Sequence, residues 1–140
     1  MNRVRAVVFD WAGTTVDYGC RAPLTAFQRI FANSGLALTA QEVAAPMGLL
    51  KIDHIRSLLA LERVRRQFVE KFRVPPAEAH VHRLNAEFER ELFALLPHYS
   101  QPIPGVLDTV DALRKNDIHV GSTTGENLTT YFIIVKKCSI

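Results

Sequence analysis

The 140 residues are 48% hydrophobic and 22% charged, the balance of an ordinary globular chain able to bury a core. Seventeen basic against fourteen acidic side chains leave a net charge of +3, too mild to argue for nucleic acid or an anionic membrane and compatible with a small anionic substrate. Cys20 and Cys138 stand far apart with no ligand-like spacing, so neither a disulfide framework nor a zinc site is indicated. The apolar run Ala6 to Phe9 is too short for a signal sequence, and no stretch reaches the ~18 apolar residues of a membrane span. A cytoplasmic location is expected.

In chain order, Val4, Ala6, Val7, Val8 and Phe9 form a β-branched apolar run that predicts a buried strand ending at Asp10. Gly13-Thr14-Thr15 predicts a turn. Leu24, Phe27, Ile30 and Phe31 recur at helical spacing between Arg21 and Ser34, with Pro23 early and Gly35 just beyond the end. Thr39 followed by Glu42 is a capping-box signature for a short helix that Pro46 stops. Leu50, Ile55, Leu58, Leu59 and Leu61 predict a helix after Gly48, and Arg63 to Arg73 an amphipathic one with a solvated basic face.

Pro75-Pro76 breaks the chain before a long helix from Ala77 to Leu96, and Pro97, Pro102, Pro104 and Gly105 mark a linker. Val106 to Lys115 predicts a helix, and Ile118 to Ser122 a second buried strand ending at Thr123-Thr124-Gly125. The order is strand, a four-helix block, linker, helix, strand. It predicts an α/β chain with a partial Rossmann-like core, residues 1–20 and 100–140, and an inserted helical cap, residues 21–99, over the carboxyl ends of the strands.

Asp10 closes an apolar strand and opens a turn, at the sheet end where open α/β folds bind ligands. It is a candidate nucleophile, or else an aspartate that caps its own turn. The backbone amides from Trp11 to Thr15 are suited to phosphoryl oxygens. Ser122, Thr123, Thr124 and Gly125 supply hydroxyl and amide donors at the same sheet end, or form a serine/threonine turn. Lys51 opens a helix among Leu49, Leu50 and Ile52, where withdrawal from water would favour the neutral amine that condenses with a carbonyl. Its alternative is a side chain that snorkels to solvent. His54 follows on the same face as a candidate proton relay, or as a packed, hydrogen-bonded residue.

The string Phe9-Asp10-Trp11-Ala12-Gly13-Thr14-Thr15-Val16-Asp17-Tyr18-Gly19-Cys20 resembles the opening motif of the haloacid dehalogenase superfamily, in the variant of its phosphonoacetaldehyde hydrolase family. Most phosphatases of that superfamily carry an acidic general acid where this chain has Ala12. Pro46-Met47-Gly48-Leu49-Leu50-Lys51-Ile52-Asp53-His54 is similar to the family's cap motif with its Schiff-base lysine, and Gly121-Ser122-Thr123-Thr124-Gly125 to its phosphate-binding motif.

The resemblance implies cleavage of the carbon–phosphorus bond of phosphonoacetaldehyde, in phosphonate catabolism, through a Lys51 imine and an Asp10 phosphoryl-enzyme intermediate. It also implies Mg²⁺ held by Asp10 and the Ala12 carbonyl, a site lined by Cys20, Met47 and His54, substrate contacts from Thr123, Thr124 and Gly125, and homodimers formed through the cap. A phosphatase or phosphomutase reading would require an aspartate at position 12 and no cap lysine.

The resemblance is expected to end at Gly125. Family members continue into a helix with a tyrosine where Glu126 stands, whereas Leu128 to Val135 is β-prone. The chain closes at Lys136-Lys137-Cys138-Ser139-Ile140 before the superfamily's basic third motif and acidic fourth, so the core is expected to be incomplete. That predicts exposed strand faces, an aggregation-prone Tyr131 to Val135 and weak metal binding. The alternative to an enzyme is an inactive fragment whose cap serves as a folding or dimerisation module.

Overall fold

A computed structural model describes residues 3–17 and 20–123. Strand β1 (Ala6–Phe9) pairs in parallel with β2 (His119–Ser122), in a register that sets Ala6 against His119 and Phe9 against Ser122. Between them run helices α1 (Arg21–Asn33), α2 (Ala40–Ala44), α3 (Lys51–Ala60), α4 (Glu62–Phe72), α5 (Glu78–Tyr99) and α6 (Val106–Lys115). The helical block before the linker therefore holds five helices, matching the five segments predicted one by one and not the four of the expected element order. The chain divides into two units. One comprises the described residues up to Ala22 with those from Leu95 onward, and the other is Pro23–Ala94. Both boundaries fall inside continuous helices, α1 and α5. No helix among the described residues is long and apolar enough to cross a membrane.

In the Pro23–Ala94 unit the predicted periodicities become a shared core. Phe27, Ile30 and Phe31 of α1, Ile55 and Leu58 of α3, Val64 and Phe68 of α4, and Leu84 and Phe88 of α5 are all buried. Each contributes roughly 1.5–3 kcal/mol relative to leaving that side chain in water. Helix α1 ends where Gly35 adopts φ 70°. The Leu36 amide reaches back to the Phe31 carbonyl at 2.9 Å and the Gly35 amide to Ala32 at 2.7 Å, and both Leu36 and Phe31 are buried. A side chain at Gly35 would also collide with the Lys71 amine.

The Thr39 capping box forms in full: the Glu42 amide donates to Thr39 Oγ1 at 3.2 Å and the Thr39 amide to the Glu42 carboxylate at 2.8 Å. Arg63 of α4 donates to the same carboxylate, holding the Glu42 carboxyl down at about 2, and to the Ala37 carbonyl at 2.9 Å. Arg56 of α3 similarly reaches Glu78 of α5 through two nitrogens, at 2.9 and 2.8 Å.

In the other unit, Trp11, Val16, Leu95, Leu96 and Val110 are buried, whereas β1 and β2 are not the buried strands expected. Val8 is 64% exposed and β2 is largely exposed along its length. The apolar run identifies a strand correctly, but burial needs layers on both faces, and the described residues give this two-stranded sheet little cover. Pro97 also departs from expectation, since it lies inside the last turn of α5. So near the helix end its missing N–H removes only one internal bond, and the Ser100 hydroxyl returns to the Pro97 carbonyl at 3.4 Å. The stretch that follows is tied down, with Pro102 bridging Val16 and the Ile103 amide donating to the Thr15 carbonyl at 2.8 Å.

Candidate active site

At the carboxyl end of β1 the chain enters a tight loop. The amides of Thr14, Thr15 and Val16 converge on the Trp11 carbonyl at 3.1, 2.9 and 3.1 Å, and the Gly13 amide closes onto Val16 at 2.8 Å. The Thr15 hydroxyl is buried and donates to the Asp10 and Trp11 carbonyls at 3.2 Å each. These bonds correct one expectation: Gly13, Thr14 and Thr15 commit their amides inside the turn, so those three do not serve the anion cradle expected from Trp11 to Thr15. Gly13 holds φ 80°, and a Cβ there would meet Cys20 Sγ at 2.8 Å, so Cys20 packs directly on the turn.

The Asp10 side chain is exposed and, among the described residues, its carboxylate has no hydrogen-bond or ion-pair partner. It is therefore not the cap of its own turn. That duty falls to Asp17, whose carboxylate accepts the Arg21 and Ala22 amides, each at 2.9 Å, and so holds the first turn of α1. Sequence reading quoted Asp17 without assigning it a role. The signal was present in an aspartate shortly before a predicted helix start, though its positive φ of 52° was not legible.

Thr123 follows β2 as Asp10 follows β1. Its amide donates to the Phe9 carbonyl at 2.8 Å, continuing the ladder one step beyond the Phe9–Ser122 pair. Asp10 and Thr123 thus come together at adjacent, exposed strand ends. Thr124 and Gly125 lie outside the described residues.

For a magnesium ion, the loop offers the Asp10 carboxylate and the Ala12 carbonyl. Among the described residues the loop's internal bonds end on Asp10, Trp11 and Val16 carbonyls and the Ile103 amide takes that of Thr15, leaving Ala12 outside that set. A carboxylate and a carbonyl suit an ion that retains several waters. The described residues contain no group of three or more His, Cys, Asp or Glu side chains able to hold a metal.

In the helical unit, Lys51 is the first residue of α3 and is half-buried, as is Met47. The apolar setting expected around Lys51 is only partly present. Leu49 and Leu50 are 47% and 73% exposed, because Leu50 is the cap residue outside the helix and does not join its buried stripe. His54, one turn on, is 1% exposed. Its ring stacks on Phe27 at 3.9 Å between centroids, 23° from parallel, and Phe27 stacks in turn on Phe88 at 4.3 Å. Burial, aided by the nearby Lys51 charge and opposed by a hydrogen bond with the Val43 backbone, draws the His54 imidazole down to about 4. His54 Nε2 is buried without a hydrogen-bond partner among the described residues. At neutral pH this histidine is uncharged. Phe27 was read from sequence as a core residue only.

The model of haloacid dehalogenase-like hydrolases matches residues 4–138. Phosphonoacetaldehyde hydrolase of Bacillus mycoides (strain KBAB4) is 49% identical over 138 residues, 99% of this chain and 52% of that protein. The bifunctional phosphonoacetaldehyde hydrolase/aminoethylphosphonate transaminase of Clostridioides difficile (strain 630) is 51% identical over 124 residues, 89% of this chain and 20% of that protein. Among solved structures, a phosphonoacetaldehyde hydrolase-like protein from Oleispira antarctica superposes with a TM-score of 0.87 at 32% identity, over 96% of this chain and 49% of the other.

The chain spans about half the length of the curated hydrolases of Bacillus that it matches. The family match runs to residue 138, past Gly125, where the resemblance was expected to stop. The β-prone run from Leu128 to Val135 lies outside the described residues.

Proposed function

Because this chain belongs to the haloacid dehalogenase-like hydrolases, we propose that it serves the hydrolysis of phosphonoacetaldehyde to acetaldehyde and phosphate. The observation that carries this reading is Lys51 opening α3 one turn before a neutral histidine, in a chain whose nucleophile loop bears Ala12 rather than an acid. A carbon–phosphorus bond cannot release an unassisted carbanion. The Lys51 amine condenses with the substrate aldehyde, losing water, and the protonated imine accepts the electron pair of the breaking bond as an enamine. The Asp10 carboxylate attacks phosphorus and becomes an acyl phosphate. Water then releases phosphate from Asp10, while protonation of the enamine and hydrolysis of the imine release acetaldehyde and restore Lys51.

Since the departing group is an enamine, no acid is required at Ala12. His54, uncharged at neutral pH, is suited to accept and return the proton exchanged at Lys51. Thr123, Thr124 and Gly125 hold the phosphonate oxygens, and Cys20 and Met47 bound the substrate. The Asp10 carboxylate and the Ala12 carbonyl would hold magnesium, which would supply positive charge to offset repulsion between phosphonate and carboxylate. Phosphate release from phosphonoacetaldehyde with Mg²⁺, for the chain and its Lys51→Ala variant, tests the reading. Release that survives the substitution unchanged would sink it.

A second reading has its own support. The Pro23–Ala94 unit buries its own aromatic and aliphatic core, as a folding or dimerisation module would. In that role the chain forms homodimers through the cap without turnover. Sedimentation analysis that finds only monomers across micromolar concentrations would exclude it.

A further inference from the structure

The histidine beside Lys51 is unusual in its packing. His54 is buried, yet its nearest ring neighbour is a phenylalanine lying almost flat against it, and that phenylalanine is backed by a second. The phenylalanine face occupies the space from which water would solvate a charged imidazole, and the weak attraction of a phenyl face for a cation does not replace that hydration. We propose that Phe27 is a positioning residue that fixes the plane of His54 and keeps it uncharged, so that Lys51 and the imine formed on it carry the only positive charge at the start of α3. The inference rests on the reading of Lys51 as the imine-forming residue.

The surroundings bear this out element by element. Lys51 is the one charge whose field acts on the imidazole among the described residues. Helix α1 presents Phe27, α5 presents Phe88 behind it, and α2 presents the backbone of Val43, none of which titrates. A second cation one helical turn from Lys51 would oppose formation of the protonated imine, because like charges at this spacing repel. Keeping His54 neutral removes that opposition. Leucine at position 27 would preserve much of the apolar volume but not the flat face. Tyrosine would preserve the face.

The test compares the full chain with its Phe27→Leu and Phe27→Tyr variants in two measurements. The first is an NMR titration of the His54 ring, assigned with His54→Gln. The second is cyanoborohydride trapping of phosphonoacetaldehyde on Lys51 between pH 5 and 8. The expected result is a His54 that stays neutral down to pH 5 in the parent and in Phe27→Tyr. In Phe27→Leu its midpoint should rise by about two pH units, with trapping at pH 5.5 reduced roughly threefold relative to pH 7.5 beyond any change in the parent.

A His54 midpoint equal in a folded Phe27→Leu and the parent overturns the proposal. So does a parent His54 that titrates near its ordinary 6.5, which decides the matter even if Phe27→Leu fails to fold. Absence of trapping on the parent at every pH counts instead against the Lys51 reading. The titration needs no aldehyde and still judges Phe27.

Discussion

The amide of Thr123 donates to the carbonyl of Phe9 at 2.8 Å, one step past the last paired residues of the two strands. This bond makes neighbours of Asp10 and Thr123, which are 113 positions apart. Thr123→Pro removes the donor while leaving the preceding ladder intact. It is expected to cost about 1 kcal/mol in the unit that holds the sheet and to lower affinity for inorganic phosphate. Calorimetric phosphate titration checks this, with the helical unit's circular dichroism unchanged.

Asp10→Asn separates chemistry from stability. The carboxylate is exposed and has no partner among the described residues, so the change should move stability by less than ~0.5 kcal/mol. Phosphate release should nevertheless fall by roughly a thousandfold or more, because an amide is a poor nucleophile. Thermal melting and a phosphate assay on one preparation give both numbers.

Asp17 should behave in the opposite way. Its two bonds to the Arg21 and Ala22 amides hold the entry to α1, and Asp17→Ala leaves those donors without their acceptor. The expected loss is about 1–2 kcal/mol, read from a denaturant midpoint, and Asp17→Asn should restore part of it.

Acid should destabilise the helical unit through His54. The group's folded value, about 4, lies below its ordinary 6.5, so between those values the unfolded chain binds the proton and the folded chain does not. Stability is therefore fully present above pH 6.5 and declines as pH falls toward 4, by roughly 3 kcal/mol in total. Denaturant titrations at several pH values should show that slope. A His54→Phe variant should flatten it, and an unchanged slope would remove His54 as its source.

The helices and both strands were legible because their signals are local: apolar spacing, the Thr39–Glu42 box, and Gly35 past the end of α1. Asp10 and Thr123 could be paired from sequence because parallel strands bring their carboxyl ends to one edge. What escaped depends on neighbours distant in the chain. The exposure of Val8 reflects how little cover the described residues give its sheet, not the strand's own composition. Phe27 and His54 each read as plausible core residues, but their stacking needs α1 and α3 packed together. The amides of Gly13, Thr14 and Thr15 seemed available until the turn's closure engaged them.

In the proposed reaction Lys51 forms an imine with the substrate aldehyde. The most direct measurement of that imine is mass spectrometry of the intact chain and its peptides after cyanoborohydride treatment with phosphonoacetaldehyde. The account predicts a single adduct on the peptide containing Lys51, absent from Lys51→Ala and undiminished in Asp10→Asn. An adduct spread over surface lysines, or one that persists in Lys51→Ala, would contradict it.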